Sequence, residues 1–160
     1  SHFNAGEAGH TRVGVNLGIK CVCGRYDCVE NISSGSGIDH CARILCKNHP
    51  TSLHIPAEDE GRVNVQDVFR LCQEGDPLCK VLTDNAAQGI ANLIMNLVRV
   101  TDPDTVVLGG GIVADEYMFE SILKRLHPAT MRFVSNGVVL TKLNPEFIGL
   151  LGACAVAMNM

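Results

Sequence analysis

The sequence predicts an α/β half-domain with a helical insertion in front of it. Three observations carry this expectation. Apolar residues recur at helical three-and-four spacing between residues 36 and 100. Two short β-branched runs, 105–108 and 138–140, occur only in the last third of the chain. A helical pattern follows each run, so the order is helices first and then strand–helix–strand–helix.

The elements follow in order. Residues 1–28 are rich in glycine, at positions 6, 9, 14, 18 and 24, and fit no helical period. A helix reads from Ser36 on Ile38, Cys41, Ala42, Leu45 and Cys46. Residues 48–62, with two prolines, two histidines and Glu58-Asp59-Glu60, read as a surface loop. Asn64 caps a helix over 65–73 that places Val65, Val68, Phe69 and Cys72 on one face and stops at Gly75. Asp76-Pro77 is an N-cap followed by proline at the first helical position. The helix it opens runs to about Val100 and is the expected core element. Asp102-Pro103-Asp104 turns the chain into a buried strand at 105–108, then Gly109-Gly110-Gly111 and a helix over about 115–126. A second strand at 138–140 is broken by Asn144-Pro145, and 148–158 is a closing helix rich in Ala and Gly. No internal repeat is visible. The chain divides into 1–35, 36–101 and 102–160.

Composition sets the bounds. At 160 residues the chain buries roughly two-thirds of its unfolded surface. With 46% hydrophobic and 19% charged residues it is no disordered tail. No apolar run approaches the roughly 20 residues of a membrane span. A net charge of −4, without a basic stretch, argues against a nucleic-acid binder. The chain opens abruptly at Ser1-His2-Phe3-Asn4, as expected of a fragment of a longer protein.

Eight cysteines raise the possibility of a secreted disulfide framework. Their distribution argues instead for a reducing cytoplasm. Cys41, Cys46, Cys72, Cys79 and Cys154 lie in apolar helical segments, where a free thiol behaves as a small hydrophobe. Cys21, Cys23 and Cys28 crowd into eight residues, with His10 eleven residues before the first of them. Zinc takes four N or S donors in a tetrahedron, and three thiols on a tight loop plus one imidazole supply them. A closed donor set makes the metal structural. A disulfide or simple burial is the competing reading. Glu7 and Glu30 flank the cluster and would accept hydrogen bonds from adjacent hydroxyls such as those of a sugar; solvated surface glutamates are the alternative. Gly109-Gly110-Gly111 lets a ligand approach the backbone near a helix N-terminus, or is merely a tight turn.

Several of these motifs stand together in a known family. Ala5-Gly6-Glu7-Ala8-Gly9-His10, the stretch from Cys21 to Glu30, Ser34-Gly35, Asp102-Pro103, the strand ending in Gly109-Gly110-Gly111, and Gly149-Leu150-Leu151-Gly152-Ala153 are similar to motifs of the repressor, open reading frame, kinase (ROK) family. The resemblance implies an actin-like ATPase fold, of which this chain is the C-terminal lobe. It implies structural zinc on His10, Cys21, Cys23 and Cys28. It implies sugar contacts from Glu7, His10 and Glu30, and a loop at Gly109, Gly110 and Gly111 bordering the adenosine of Mg-ATP. It further implies a cytoplasmic homodimer that phosphorylates the 6-hydroxyl of a hexose or N-acetylhexosamine. The family's phosphate loop and Asp general base would lie upstream of Ser1, leaving the isolated chain inactive. A sugar-sensing repressor with an N-terminal helix-turn-helix is the alternative. Neither reading assigns a membrane, or a nucleic acid for this lobe. Two positions depart from the family pattern: Asp27 stands where glycine is usual, and Ala8 replaces a larger apolar residue. Asp tolerates a left-handed backbone, so the knuckle should survive.

Overall fold

A computed structural model describes residues 6–144 and 147–158. Pro145, expected to break the second strand, and Ala5, the first residue of the motif around His10, lie outside the described residues.

The described residues open with a single 3-10 turn, Ala8–His10, and an irregular stretch that returns to form a narrow loop at 20–28. Five α-helices account for most of the rest: α1 (Val29–Ser33), α2 (Gly35–Leu45), α3 (Val65–Glu74), α4 (Pro77–Thr101) and α5 (Glu116–Leu123). Strand β1 (Val106–Leu108) precedes α5. A short α6 (Pro128–Met131), β2 (Val138–Leu140) and α7 (Ile148–Met158) complete the order.

The helix boundaries obey local capping chemistry. The Asn64 side chain accepts from the Gln66 N–H to start α3, and Gly75 ends it at φ 98°, a left-handed position where glycine carries no Cβ penalty. Asp76 accepts from the Cys79 N–H to start α4, with Pro77 at the first helical position. Asp102 closes α4 in the left-handed region at φ 44°.

Helix α4 is the spine. Leu78, Leu82, Ala86, Ala87, Ala91, Ile94 and Val98 are buried along it, and α1, α2, α3 and α5 pack around it. Phe69, Ile38, Met118 and Ile122 fill the spaces between. Helix α2 lies tight on α1. A Cβ at Gly37 would collide with the Glu30 carbonyl oxygen, so only glycine permits this approach. That contact helps fix the turn that carries Glu30.

β1 and β2 pair in parallel, Val106 with Val138 and Leu108 with Leu140, connected through α5 and α6. The strand expected to be buried is only half so. Val107 is 59% exposed and its partner Val139 is 39% exposed, so among the described residues that face of the two-stranded sheet is left open. Burial also overturns one cysteine. Cys41, Cys72 and Cys79 are buried and Cys46 is half-buried, but Cys154 on α7 lies in solvent. All eight cysteines are free. Among the described residues, no helix is long and apolar enough to cross a membrane.

Candidate functional site

The loop that carries the three clustered cysteines is a miniature hairpin. Lys20 pairs with Tyr26, the Cys21 N–H donates to the Arg25 carbonyl at 2.8 Å, and Gly24 turns the tip at φ 86°. Asp27 adopts φ 55° and is buried. Its carboxylate does more than tolerate that backbone. Oδ1 accepts from the N–H groups of Leu17 at 3.1 Å and Ile19 at 2.8 Å, stapling the hairpin base to the preceding strand-like segment. A glycine there could not make these bonds. Arg12 pairs with Cys28, and the Val29 N–H donates to the Thr11 carbonyl, which brings the turn containing His10 beside the cysteines.

The ligand-type atoms of His10, Cys21, Cys23 and Cys28 lie within 4.8 Å of one another. Two edges of this cluster are informative. His10 Nδ1 is 3.5 Å from Cys21 Sγ, and Cys23 Sγ is 3.6 Å from Cys28 Sγ. A tetrahedral zinc with ordinary bond lengths sets about 3.6 Å between nitrogen and sulfur and about 3.8 Å between two sulfurs. The donor set therefore fits zinc in kind, number and spacing. Protonation is the counterweight. Burial pushes the Cys28 thiol up to about 12, whereas a hydrogen bond from the Arg25 backbone, with help from the neighbouring thiols, holds the Cys23 thiol below its usual value. A metal would have to displace the Cys28 proton as it binds.

Glu30 and the imidazole meet directly. Glu30 Oε2 is 3.2 Å from His10 Nδ1, the same nitrogen that faces Cys21. Glu30 sits in the first turn of α1, and Ser33 and Ser34 fall three and four residues later on the same side of the chain.

These residues open onto a cavity of about 480 Å³. Glu7, His10, Glu30, Ser33 and Ser34 line it on one side, and Gly109, Gly110, Gly111, Ile112 and Val113 on the other, with Ile90 of α4 also in the wall. Glu7, His10 and Glu30 thus share one space with Gly109, Gly110 and Gly111. Cys21, Cys23 and Cys28 stand behind the wall rather than in it. The volume suits a small-molecule site. Ser33, Ser34 and Ile90 were not singled out as site residues. For the serines the i, i+3, i+4 spacing from Glu30 was a usable signal; for Ile90, some sixty residues away, there was none.

The glycine loop differs from expectation in one respect. Gly110 takes φ 111°, as a glycine turn should, but the chain then makes a turn through Ala114 before α5 starts. Asp115 caps α5 by accepting from the Met118 N–H at 3.0 Å. That helix N-terminus already holds a carboxylate, so it offers no free anion site beside the loop.

Comparison with known proteins bears on the family and the fold. The chain is 27% identical to a glucokinase of Thermotoga maritima over 153 residues, 94% of this chain and 48% of the relative. It is 33% identical to an N-acetylmannosamine kinase of Escherichia coli O6:H1 over 115 residues, 71% of this chain and 34% of the relative. It is 26% identical to a xylose repressor of Caldicellulosiruptor bescii over 105 residues, 66% of this chain and 26% of that protein. The crystal structure of a ROK family glucokinase from Streptomyces griseus in complex with glucose and AMPPNP shares the fold. Its TM-score is 0.70 at 22% identity, over 98% of this chain and 52% of that one. The chain spans about half the length of the Thermotoga and Streptomyces proteins. A family model described as "ROK family" matches residues 1–160, and the chain belongs to that family.

Proposed function

We propose that this chain forms part of an ATP-dependent sugar kinase, and that its cavity holds a hexose or N-acetylhexosamine beside the nucleotide. The observation that carries the reading is the convergence of Glu7, His10 and Glu30 with Gly109–Gly111 on one cavity of about 480 Å³. Electrostatics orders the two ligands. The carboxylates of Glu7 and Glu30 repel a polyphosphate and accept from sugar hydroxyls, so the sugar belongs at their end. The glycine loop presents backbone without side chains, and Ile112 and Val113 add apolar surface, which suits the flat face of a nucleoside.

In this reading His10, Cys21, Cys23 and Cys28 hold a structural zinc. The zinc supplies no reaction chemistry and serves to fix the loop and the ring. With Nδ1 turned toward the thiols, Nε2 keeps its proton and is the nitrogen left to donate to a hydroxyl. The same arrangement leaves Glu30 free to accept from the sugar instead of from the imidazole. The Asp that takes the 6-hydroxyl proton, and the loop that holds the phosphates of Mg-ATP, come from outside residues 1–160, so this chain alone turns over no substrate. The intact enzyme works as a homodimer in the cytoplasm, where its ATP is. The lobe binds neither membrane nor nucleic acid.

The kinship with a xylose repressor supports a second reading, in which the same cavity senses a sugar and no phosphate is transferred. Coupled assay of the intact protein on a sugar panel separates the two, since only the kinase consumes ATP. Two further measurements test the site. Metal analysis should find one zinc per chain; far less than one equivalent with thiols intact would remove the metal from the reading. Glu30→Gln in the intact protein should weaken sugar binding by about 10- to 100-fold and leave ATP binding nearly unchanged. A change within about twofold would return Glu30 to the status of a surface glutamate.

A further inference from the structure

The three clustered thiols differ in how solvent reaches them. Cys21 is 3% exposed and Cys28 is 0% exposed, whereas Cys23, at the hairpin tip, is exposed. The exposed sulfur nevertheless has a close partner, since Cys23 Sγ lies 3.6 Å from Cys28 Sγ. A disulfide bond is about 2.05 Å, so the two sulfurs would need to approach by only about 1.5 Å. Cys154 is also exposed, but it sits far along the chain on α7.

We infer that Cys23 is a peroxide-reactive modification site and Cys28 its resolving thiol, so that oxidation of this pair dismantles the four-donor cluster. The inference rests on the metal reading above for its consequence, though not for its chemistry. Hydrogen peroxide is the oxidant. The Cys23 thiolate attacks the peroxide: an S–O bond forms, the O–O bond breaks, and the departing hydroxide is protonated to water, leaving a sulfenic acid. The Cys28 thiol then attacks Cys23 Sγ and gives up its proton as it does so: the S–S bond forms, the S–O bond breaks, and the departing hydroxide takes up that proton to become a second water. Two thiols lose two electrons and one peroxide becomes two waters.

The consequence follows from the donor count. Disulfide sulfurs are no longer thiolates, so a metal held by four groups retains only His10 and Cys21 and is released. Cys28 is also the N-cap residue of α1, two positions before Glu30. A change at Cys28 therefore reaches the cavity wall through the shortest route the chain offers. The knuckle would act as a reversible oxidant sensor wired to the sugar-facing glutamate, with a reductant and fresh metal restoring it.

The test titrates the full chain with hydrogen peroxide in two parallel arms, zinc-loaded and metal-free. Zinc release is read with a chromophoric chelator, and thiol pairing by peptide mapping under non-reducing conditions. In the zinc-loaded arm one zinc should appear per Cys23–Cys28 disulfide, and dithiothreitol with added zinc should reverse the change. The metal-free arm should give the same disulfide. A chain that takes no zinc at all would sink the metal reading while the metal-free arm still decides the thiol pairing. Cys28→Ser, in the metal-free arm, should leave Cys23 trapped as a sulfenic acid that dimedone labels. Should that variant not fold, the wild-type map decides alone. Cys23 and Cys28 staying as free thiols at a dose that oxidises Cys154 would overturn the proposal. So would a disulfide that joins Cys23 to Cys21.

Discussion

Helices α4 and α7 are both rich in apolar residues, and they meet opposite fates. Along α4 the polar side chains of Lys80, Asp84, Gln88, Asn96 and Arg99 interrupt the apolar positions, and the latter are buried against the helices that pack around α4. Between Ile148 and Met158 there is no charged or amide side chain at all, yet Leu150 is 64% exposed and Met158 is 86% exposed. A helix that is apolar all round belongs in an interior. The helical region therefore carries its own partners within the chain, whereas α7 stays largely exposed among the described residues. The cavity lies between the helical region and the start of the strand region: the knuckle, α1 and α4 contribute to its wall, as does the glycine loop after the half-exposed β1.

The comparison yields its largest test in the core. Phe69 is fully buried between α3 and α4, so Phe69→Ala should cost about 3–5 kcal/mol in urea denaturation, from lost transfer energy and the cavity left behind. Leu151→Ala on α7, at 46% exposure, should change stability by less than about 0.5 kcal/mol. Comparable costs at the two sites would show that α7 finds a partner in solution, a second copy of the chain being the first to check by light scattering.

An intermediate effect is expected at the junction of the loop and α4. Burial alone would raise the Asp76 carboxyl, but N–H groups of Cys79 and Ser52 and the Thr51 hydroxyl outweigh it and hold the group at about 2. The sign follows from linkage. A carboxylate depressed in the folded state stabilises the fold above its unfolded value near 4, and that contribution disappears as pH falls from about 4 to about 2. The shift is equivalent to about 2 kcal/mol. Asp76→Asn should lower stability at neutral pH and flatten the acid limb of a stability–pH curve; an unchanged limb would mean that the Thr51 and Ser52 contacts contribute nothing.

Which of these features the sequence disclosed depends on how local they are. Asn64, Gly75 and Asp76-Pro77 gave the boundaries of α3 and the start of α4 because capping is settled within four residues. Helices α1 and α6, of five and four residues, are too short to display a period and were missed. Asp27 was read for its backbone, but its side-chain bonds reach back eight and ten residues to Ile19 and Leu17 and are tertiary in character. The meeting of Glu7 and Glu30 with Gly109–Gly111 spans some eighty to a hundred residues of chain and follows from how the helices pack around α4. Burial of β1 was misjudged for the same reason: a β-branched run specifies a strand, whereas what covers its faces is decided elsewhere.

That last point sets the smallest and sharpest test. Thr has nearly the shape and χ1 stiffness of Val, so Val107→Thr leaves the strand's backbone preference almost untouched and changes only whether a hydroxyl must be solvated. On a face 59% exposed to water the hydroxyl keeps its hydrogen bonds, and the substitution should alter stability by less than about 0.5 kcal/mol. On a covered face the same hydroxyl loses water without gaining a partner, at about 1–3 kcal/mol. The paired position Val139 offers the internal repeat, because it stands in register with Val107 on the same face and should respond alike. If both substitutions are silent in this chain, the face is open and the comparison with the helical core holds. If both cost more than 1 kcal/mol while the chain sediments as a dimer, the exposed sheet face and α7 form one apolar surface that copies of the chain bury against each other.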